Sequence, residues 1–246
     1  MATLPAPGPV PPLAEPVDFS RRATSPELMD DEALSPETYA DVISGLALVN
    51  TLTLTHRPTL KWLAEATQGL DRFSLVDVGF GHGDMLRAIG EWAKTHGKAA
   101  ELTGIDLNPR SAPVAEAATD PALGIRWLTG NAADLAGTPD FIISSLVTHH
   151  MDDAEVVWFL GWMEQAAVRG WFINDLHRSW IAWAGFKVIA FVLRLHPIVA
   201  HDGALSIRRS FTRADWRRLF AEAKLTEPPV TVRWRFPFRW AVGRLK

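Results

Sequence analysis

The chain has 246 residues, 48% of them hydrophobic and 22% charged, with a formal net charge of −3. This is ordinary globular composition for one sizeable α/β domain or two small ones. It contains no cysteine, which excludes disulfide frameworks and thiolate metal sites and fits a reducing cytoplasm.

The first seventeen residues, MATLPAPGPVPPLAEPV, have neither the basic nor the apolar region of a signal peptide. Their prolines predict a disordered or polyproline-like leader over residues 1–20. Ser25-Pro26-Glu27 and Ser35-Pro36-Glu37 both read as helix starts, with serine as N-cap and proline in the first turn. A helical cover is expected over 21–69, broken near His56-Arg57-Pro58. From Phe73 the pattern alternates. Strands are expected at 74–79, 101–106, 125–129, 140–146 and 171–175, with helices over 84–98, 109–119 and from Asp152, whose Glu155 completes a capping box. Alternation of this kind builds βαβ units and a parallel sheet.

Residues 181–195, IAWAGFKVIAFVLRL, are strongly apolar but interrupted by Lys187 and Arg194. That is short of the roughly 20 apolar residues of a membrane span. A buried or lid helix over 181–200 is expected, with contact to a membrane surface or lipid-like substrate as the alternative. Thr212 and Asp215 cap a further helix to about Ala223, with Phe211 and Trp216 as its hydrophobic staple, and strands follow at 230–235 and 238–243. Residues 207–246 hold eleven Lys and Arg against three acidic residues. A solvated basic helix and edge strand is the expectation there, ahead of a nucleic-acid face.

The stretch LVDVGFGHGDM, residues 75–85, carries the chemistry. Gly79 and Gly81 suit a dinucleotide loop, but Asp84 stands where the third glycine belongs. Carboxylates at Asp77 and Asp84 repel a pyrophosphate and favour a ligand with positive charge, such as an amino-acid moiety or a sulfonium. A Walker loop is excluded because no Gly-Lys-Ser/Thr follows. Asp106 ends the second strand 23 residues after Gly83, near the spacing at which an acidic residue accepts hydrogen bonds from ribose hydroxyls.

With DVGFGHG (77–83), GIDLN (104–108) and FIISSLVTHH (141–150), the chain resembles the class I S-adenosylmethionine-dependent methyltransferases. SPELMDD (25–31), NDLHRS (174–179) and HDGALSIRRSFT (201–212) are similar to a bacterial branch acting on polyketide-type or quinone-type phenols. The resemblance implies a single domain over 21–246. Its fold would be a Rossmann-like three-layer αβα sandwich around a seven-stranded, mostly parallel sheet of order 3-2-1-4-5-7-6. It implies S-adenosylmethionine held by Asp77, Gly79, Phe80, Gly81, Gly83, Asp106, Leu107, Asn131, Ala132 and Ser145. Asn131 stands where aspartate is more common, and Phe80 and His82 replace small or polar loop residues.

Methyl transfer from a sulfonium is an in-line displacement that needs alignment, a dry pocket and, for a phenol, a nearby base. His149, His150 and His177 follow strands four and five on the side where such sheets place ligands, and are the candidate bases. Arg178, Trp180, Trp183 and His201 are the candidate acceptor contacts. No metal is expected: adjacent residues rarely converge on one ion, and no helical His spacing occurs. The expected activity is O-methylation of a small aromatic or lipid-tailed hydroxyl compound, with C-methylation of a quinone precursor, an NAD-dependent oxidoreductase or a non-catalytic nucleoside-binding domain as alternatives. The expected partner is a small-molecule acceptor. No nucleic acid is expected, a second copy of the chain is allowed, and the location is cytoplasmic with room for peripheral membrane contact.

Overall fold

A computed structural model describes residues 17–246. The chain runs α1 (Pro36–Leu52), α2 (His56–Ala66), β1 (Arg72–Val78), α3 (Asp84–Thr95), β2 (Ala99–Asp106), α4 (Ser111–Ala117), β3 (Arg126–Thr129), β4 (Phe141–Ser145), α5 (Asp153–Ala166), β5 (Gly170–Leu176), α6 (Trp180–Val192), α7 (Pro197–Arg209), α8 (Arg213–Glu222), β6 (Thr231–Arg235) and β7 (Arg239–Leu245). The seven strands form one sheet of order β3-β2-β1-β4-β5-β7-β6, as expected. The first five strands are parallel, and β7 runs antiparallel to both β5 and β6.

The pleat divides the core. Leu75, Ile143, Phe172 and Ala241 face α2 and α3, while their chain neighbours Val76, Ile142, Ile173 and Val242 face α5 and α8. Both strand faces are covered, which explains why these strands read as continuous apolar runs rather than as alternating ones. A third cluster joins Val42 of α1 to Ala182 and Phe186 of α6 and Val199 and Ile207 of α7. This cluster stands over the carboxyl ends of the strands, where open parallel sheets bind ligands.

Capping signals resolve as read. Ser35 accepts a hydrogen bond from Thr38 N, and full capping boxes start α5 (Asp152, Glu155) and α8 (Thr212, Asp215). Phe211 and Trp216 pack in a tilted pair with ring centroids 4.4 Å apart. The expected helix start at Ser25-Pro26 is corrected: the chain there is extended, with one tight turn at Leu28–Asp30. Its polar backbone groups are satisfied from outside. Leu28 and Met29 donate to the Asp202 carboxylate at 2.9 and 2.8 Å, and the Arg209 guanidinium donates to the Thr24 and Ser25 carbonyls. Tertiary partners thus replace the helical ladder. The break expected at His56 falls instead at Thr53–Thr55, and Pro58 sits in the first turn of α2, where no intrahelical donor is lost.

The expected leader over 1–20 lies, for residues 1–16, outside the described residues. From Val17 the chain is tied down: the Phe19 carbonyl accepts from Arg178 Nε at 3.0 Å and its ring meets Trp183 edge-on. The apolar insertion is larger than one lid helix, because His196 caps a second helix, α7, that begins at Pro197. Gly203 lets α7 close on α6, since a Cβ there would lie 2.2 Å from the Phe186 ring. The basic helix and edge strand expected near the C-terminus are solvated at Arg213, Arg217, Arg218 and Arg233, but not every basic residue of that region is. Arg208, Arg209, Arg239 and Arg244 are buried, and Arg244 pairs with Glu164 at 3.3 Å. No helix among the described residues is long and apolar enough to cross a membrane.

Candidate active site

One cavity of about 750 Å³ runs from the glycine loop, past the β4 and β5 ends, to the α1–α6–α7 cover. At its first end β1 delivers Asp77, and the chain then turns through Gly79, Gly81 and Gly83 at φ +74°, +51° and +77°. The three glycines do different work. A Cβ at Gly79 would lie 2.4 Å from Val147, and one at Gly83 2.5 Å from Trp127, so both permit packing. A Cβ at Gly81 would meet open space. Gly79 and Gly81 line the cavity, but Gly83 does not; the expectation that it touches the cofactor is replaced by a role in loop packing and as the N-cap of α3.

Three carboxylates meet here and are tuned differently. Asp77 is buried and its Oδ1 has no hydrogen-bond partner, and burial followed by the nearby Asp84 and Asp106 pushes its pKa well up. Burial also works against the Asp84 carboxylate. His56 Nε2 at 2.7 Å and Asn50 at 3.4 Å outweigh it and hold the pKa below its ordinary value. Asp106 accepts from Gly81 N through Oδ2 and from Asn108 N through Oδ1, each at 2.9 Å, while burial keeps its pKa raised. Leu107 stands exposed at the rim, and Asn131, Ala132 and Ser145 line the adjacent wall, Asn131 Oδ1 accepting from Ala133 N. Phe80 is buried against Trp127.

An orphaned carboxylate oxygen that is costly to leave unpaired calls for a cationic partner. Asp77 fits the ammonium group of S-adenosylmethionine, and the fixed Asp106 carboxylate fits a ribose. The residues present therefore suit this cofactor.

The far end of the cavity is polar on one side. Thr148–His150 form a short helical turn after β4, and both histidines line the cavity. His149 Nδ1 lies 2.7 Å from Asp175 Oδ1, while Oδ2 of the same carboxylate accepts from the His149 backbone at 3.0 Å and from the Thr148 hydroxyl. That pairing holds the Asp175 pKa down against its burial. His150 Nδ1 lies 3.2 Å from Asp30 Oδ2. Both Nε2 atoms face one carboxylate: His149 is 3.7 Å from Glu27 Oε1, and His150 is 3.6 Å from Glu27 Oε2. Burial works to lower the His150 pKa, but Glu27 and Asp30 dominate and raise it to about 9. Arg209 ties the turn to the extended N-terminal strap of residues 22–30, donating to the His149 and His150 carbonyls at 3.0 and 2.8 Å as well as to that of Ser25.

The remaining expected site residues stand off the cavity wall. His177 packs between Phe238 and Trp240 and accepts from Trp234 Nε1 at 3.3 Å. Arg178 is buried on the Ser210 carbonyl and Asp215, Trp180 is exposed, and Trp183 packs on Phe19 and Lys187. His201 pairs with Asp202 at 2.8 Å. The sequence had missed Glu27, Asp30, Asp175 and Arg239. Asp175 lay in a quoted motif without a role, and Glu27 and Asp30 sat in a segment read as helix. Arg239 carried no signal; it lines the cavity, with Nε and Nη1 unpartnered and its pKa brought down to about 10 by burial.

Comparison with known proteins agrees with this geometry. The sequence model of a methyltransferase-domain family matches residues 75–169, the segment from β1 to the end of α5. No curated protein sequence matches the chain. Among solved structures, magnesium protoporphyrin IX methyltransferase from Synechocystis, with bound S-adenosylhomocysteine, is 16% identical. It matches over 89% of this chain and 90% of that one, with a TM-score of 0.53. The plantazolicin methyltransferase BpumL, in complex with a triazolic desmethylPZN analogue and S-adenosylhomocysteine, is 13% identical over 83% and 89%, with a TM-score of 0.61. At these identities the likeness is one of fold. Fold, loop and family match together define the class: an S-adenosylmethionine-dependent methyltransferase with a Rossmann-like domain.

Proposed function

We propose that this methyltransferase acts on an oxygen of a small aromatic or lipid-tailed hydroxyl compound, of the phenolic polyketide or quinone-precursor kind. The continuity of the cavity carries the reading. It passes from the glycine loop to an apolar chamber lined by Leu46, Ile43, Phe186 and Ile189, with Glu27, His149 and His150 on one wall. A cavity of this size lies within the range of pockets that enclose drug-sized ligands.

The cofactor supplies an electrophilic methyl group on a sulfonium. The chain's own residues do the rest. Asp77 and Asp106 fix the donor end, the apolar walls exclude water and hold the acceptor's ring or tail, and the Glu27–His149–His150 cluster receives its hydroxyl. The unpartnered donors of Arg239 offer a second hold on an oxygen-rich acceptor. BpumL was crystallised with a triazolic desmethylPZN analogue, which supports a multi-ring acceptor on this fold.

The outer face of α6 supports peripheral membrane contact. Val188, Val192 and the 84%-exposed Phe191 stand in solvent, and the exposed Ile181 and Phe236 also line the cavity. A lipid-tailed acceptor could enter there directly from a bilayer. The test is a panel of simple phenols, long-chain alkylated phenols and matched amines incubated with methyl-labelled S-adenosylmethionine. Label transferred to the phenols, best to the alkylated ones, is expected. Transfer to amines alone, or to nothing in the panel, would overturn the reading.

A further inference from the structure

The acceptor-side cluster has an arrangement that a proton-accepting histidine alone does not require. Two imidazoles each give Nδ1 to a carboxylate, His149 to Asp175 and His150 to Asp30, and each turns Nε2 toward Glu27. One ligand atom from each of these three residues, a ring nitrogen of each histidine and a carboxylate oxygen, lies within 4.8 Å of the other two. The two nitrogen–oxygen separations are 3.7 and 3.6 Å. Donors held at about 2.1 Å from one tetrahedral ion are about 3.4 Å apart, so a small inward movement brings them onto a common centre. A carboxylate behind each imidazole is the support that orients and strengthens a metal-bound histidine.

We propose that Glu27, His149 and His150 form a binding site for a divalent first-row transition ion, open toward the acceptor chamber. Two imidazole nitrogens, with the His150 proton released as the ion binds, and one carboxylate suit zinc, cobalt or ferrous iron better than magnesium or calcium, which prefer all-oxygen shells. The charge is suitable. Glu27, Asp30 and Asp175 surround the two imidazoles with Arg209 behind them, so a dication finds net negative surroundings. Adjacent histidines reach one point here because they share a tight helical turn, and the third ligand arrives from a segment more than 120 residues earlier. Ser206 donates to Glu27 Oε1 at 2.7 Å and fixes that carboxylate. The residues line the cavity, so a further coordination position faces the chamber.

This deepens the proposed function and rests on it only for the identity of what occupies the chamber. The ion would take the acceptor's oxygen atoms in place of a free imidazole, acting as a Lewis acid that orients the oxygen for attack.

The test uses the full chain, stripped with a chelator and then equilibrated with zinc alone or cobalt alone. Zinc is counted by elemental analysis and cobalt is read from its visible ligand-field absorption. One ion per chain is expected, with affinity at least 100-fold weaker in Glu27→Gln and His150→Ala and unchanged in the exposed-residue control His96→Ala. Asp30→Asn removes only the support of one imidazole and leaves half-exposed surface, so it guards against misfolding of the buried variants. It should weaken binding by about 10–100-fold. No retained ion in the wild type, or equal retention in all four variants, would overturn the proposal. Stabilisation by S-adenosylhomocysteine is measured on the same samples. If it persists without metal binding, the metal site alone is wrong; if it too is absent, the methyltransferase reading fails with it.

Discussion

The cofactor end of the cavity is assembled from residues 77–84, 106–108 and 130–132, each following its own strand, whereas the acceptor end gathers Glu27, Asp30, His149, His150 and Arg239 from across the chain. The first end is held by backbone: glycine dihedrals, a Gly81 N–H on Asp106 and the start of α3. The second is held by side chains bridging a strap, a turn and α7, with Arg209 at the junction. A site made of local turns tolerates changes at a distance. A site made of long-range bridges fails when one bridge is cut.

The largest effects are expected at the glycine loop. Gly79→Ala adds a Cβ 2.4 Å from Val147 at a positive φ, combining backbone strain with overpacking. It is expected to cost about 2–5 kcal/mol in denaturant unfolding and to abolish cofactor binding. Gly81→Ala has the same backbone problem with open space around it, and should cost only about 1 kcal/mol. Equal costs for the two would show that the packing account of Gly79 is wrong.

Arg209→Met tests the long-range end. It strands the carbonyls of Ser25, His149 and His150, and a loss of about 2–4 kcal/mol is expected. Hydrogen exchange should rise in residues 22–30 and 148–151 while 77–84 stay protected; uniform loosening would mean that the two ends are one cooperative unit.

Asp77→Asn removes a buried carboxylate that is uncomfortable without a ligand. The ligand-free protein should melt no lower than wild type, while affinity for S-adenosylmethionine falls by tenfold or more in calorimetry. A lower melting temperature with normal affinity would assign Asp77 to structure instead.

The smallest effect is a pH dependence. The Asp84 pKa is depressed in the folded state, so its pairing with His56 stabilises above the ordinary carboxylate value and is lost as pH falls through the depressed one. Melting temperature should therefore fall less steeply in His56→Ala than in wild type between roughly pH 5 and pH 2. Parallel curves would remove that pair from the account.

The same division explains what the sequence disclosed. The glycine loop and Asp106 were legible because each depends on spacing within one βαβ unit, and the Asp152 and Thr212 capping boxes on spacing within four residues, whereas the sheet order followed only from the family resemblance. His149 and His150 were visible as a pair, but nothing in their neighbourhood announces Glu27 or Asp30. Ser25-Pro26 carries a sound helix-start signal that tertiary hydrogen bonds from Asp202 and Arg209 override. Trp180 and His201 have the aromatic or titratable character of acceptor contacts and lie near a motif, but helix phase turns one to solvent and gives the other to Asp202.

The most direct test of the central claim, a single cavity with separable cofactor and acceptor ends, is thermal unfolding with S-adenosylhomocysteine. Wild type, Asp106→Ala and His150→Ala are compared, with NADH as the control ligand. At about 100 times its dissociation constant the ligand should stabilise wild type and His150→Ala by roughly 2.7 kcal/mol and leave Asp106→Ala unmoved. No shift in wild type, an undiminished shift in Asp106→Ala, or an equal response to NADH would contradict the account.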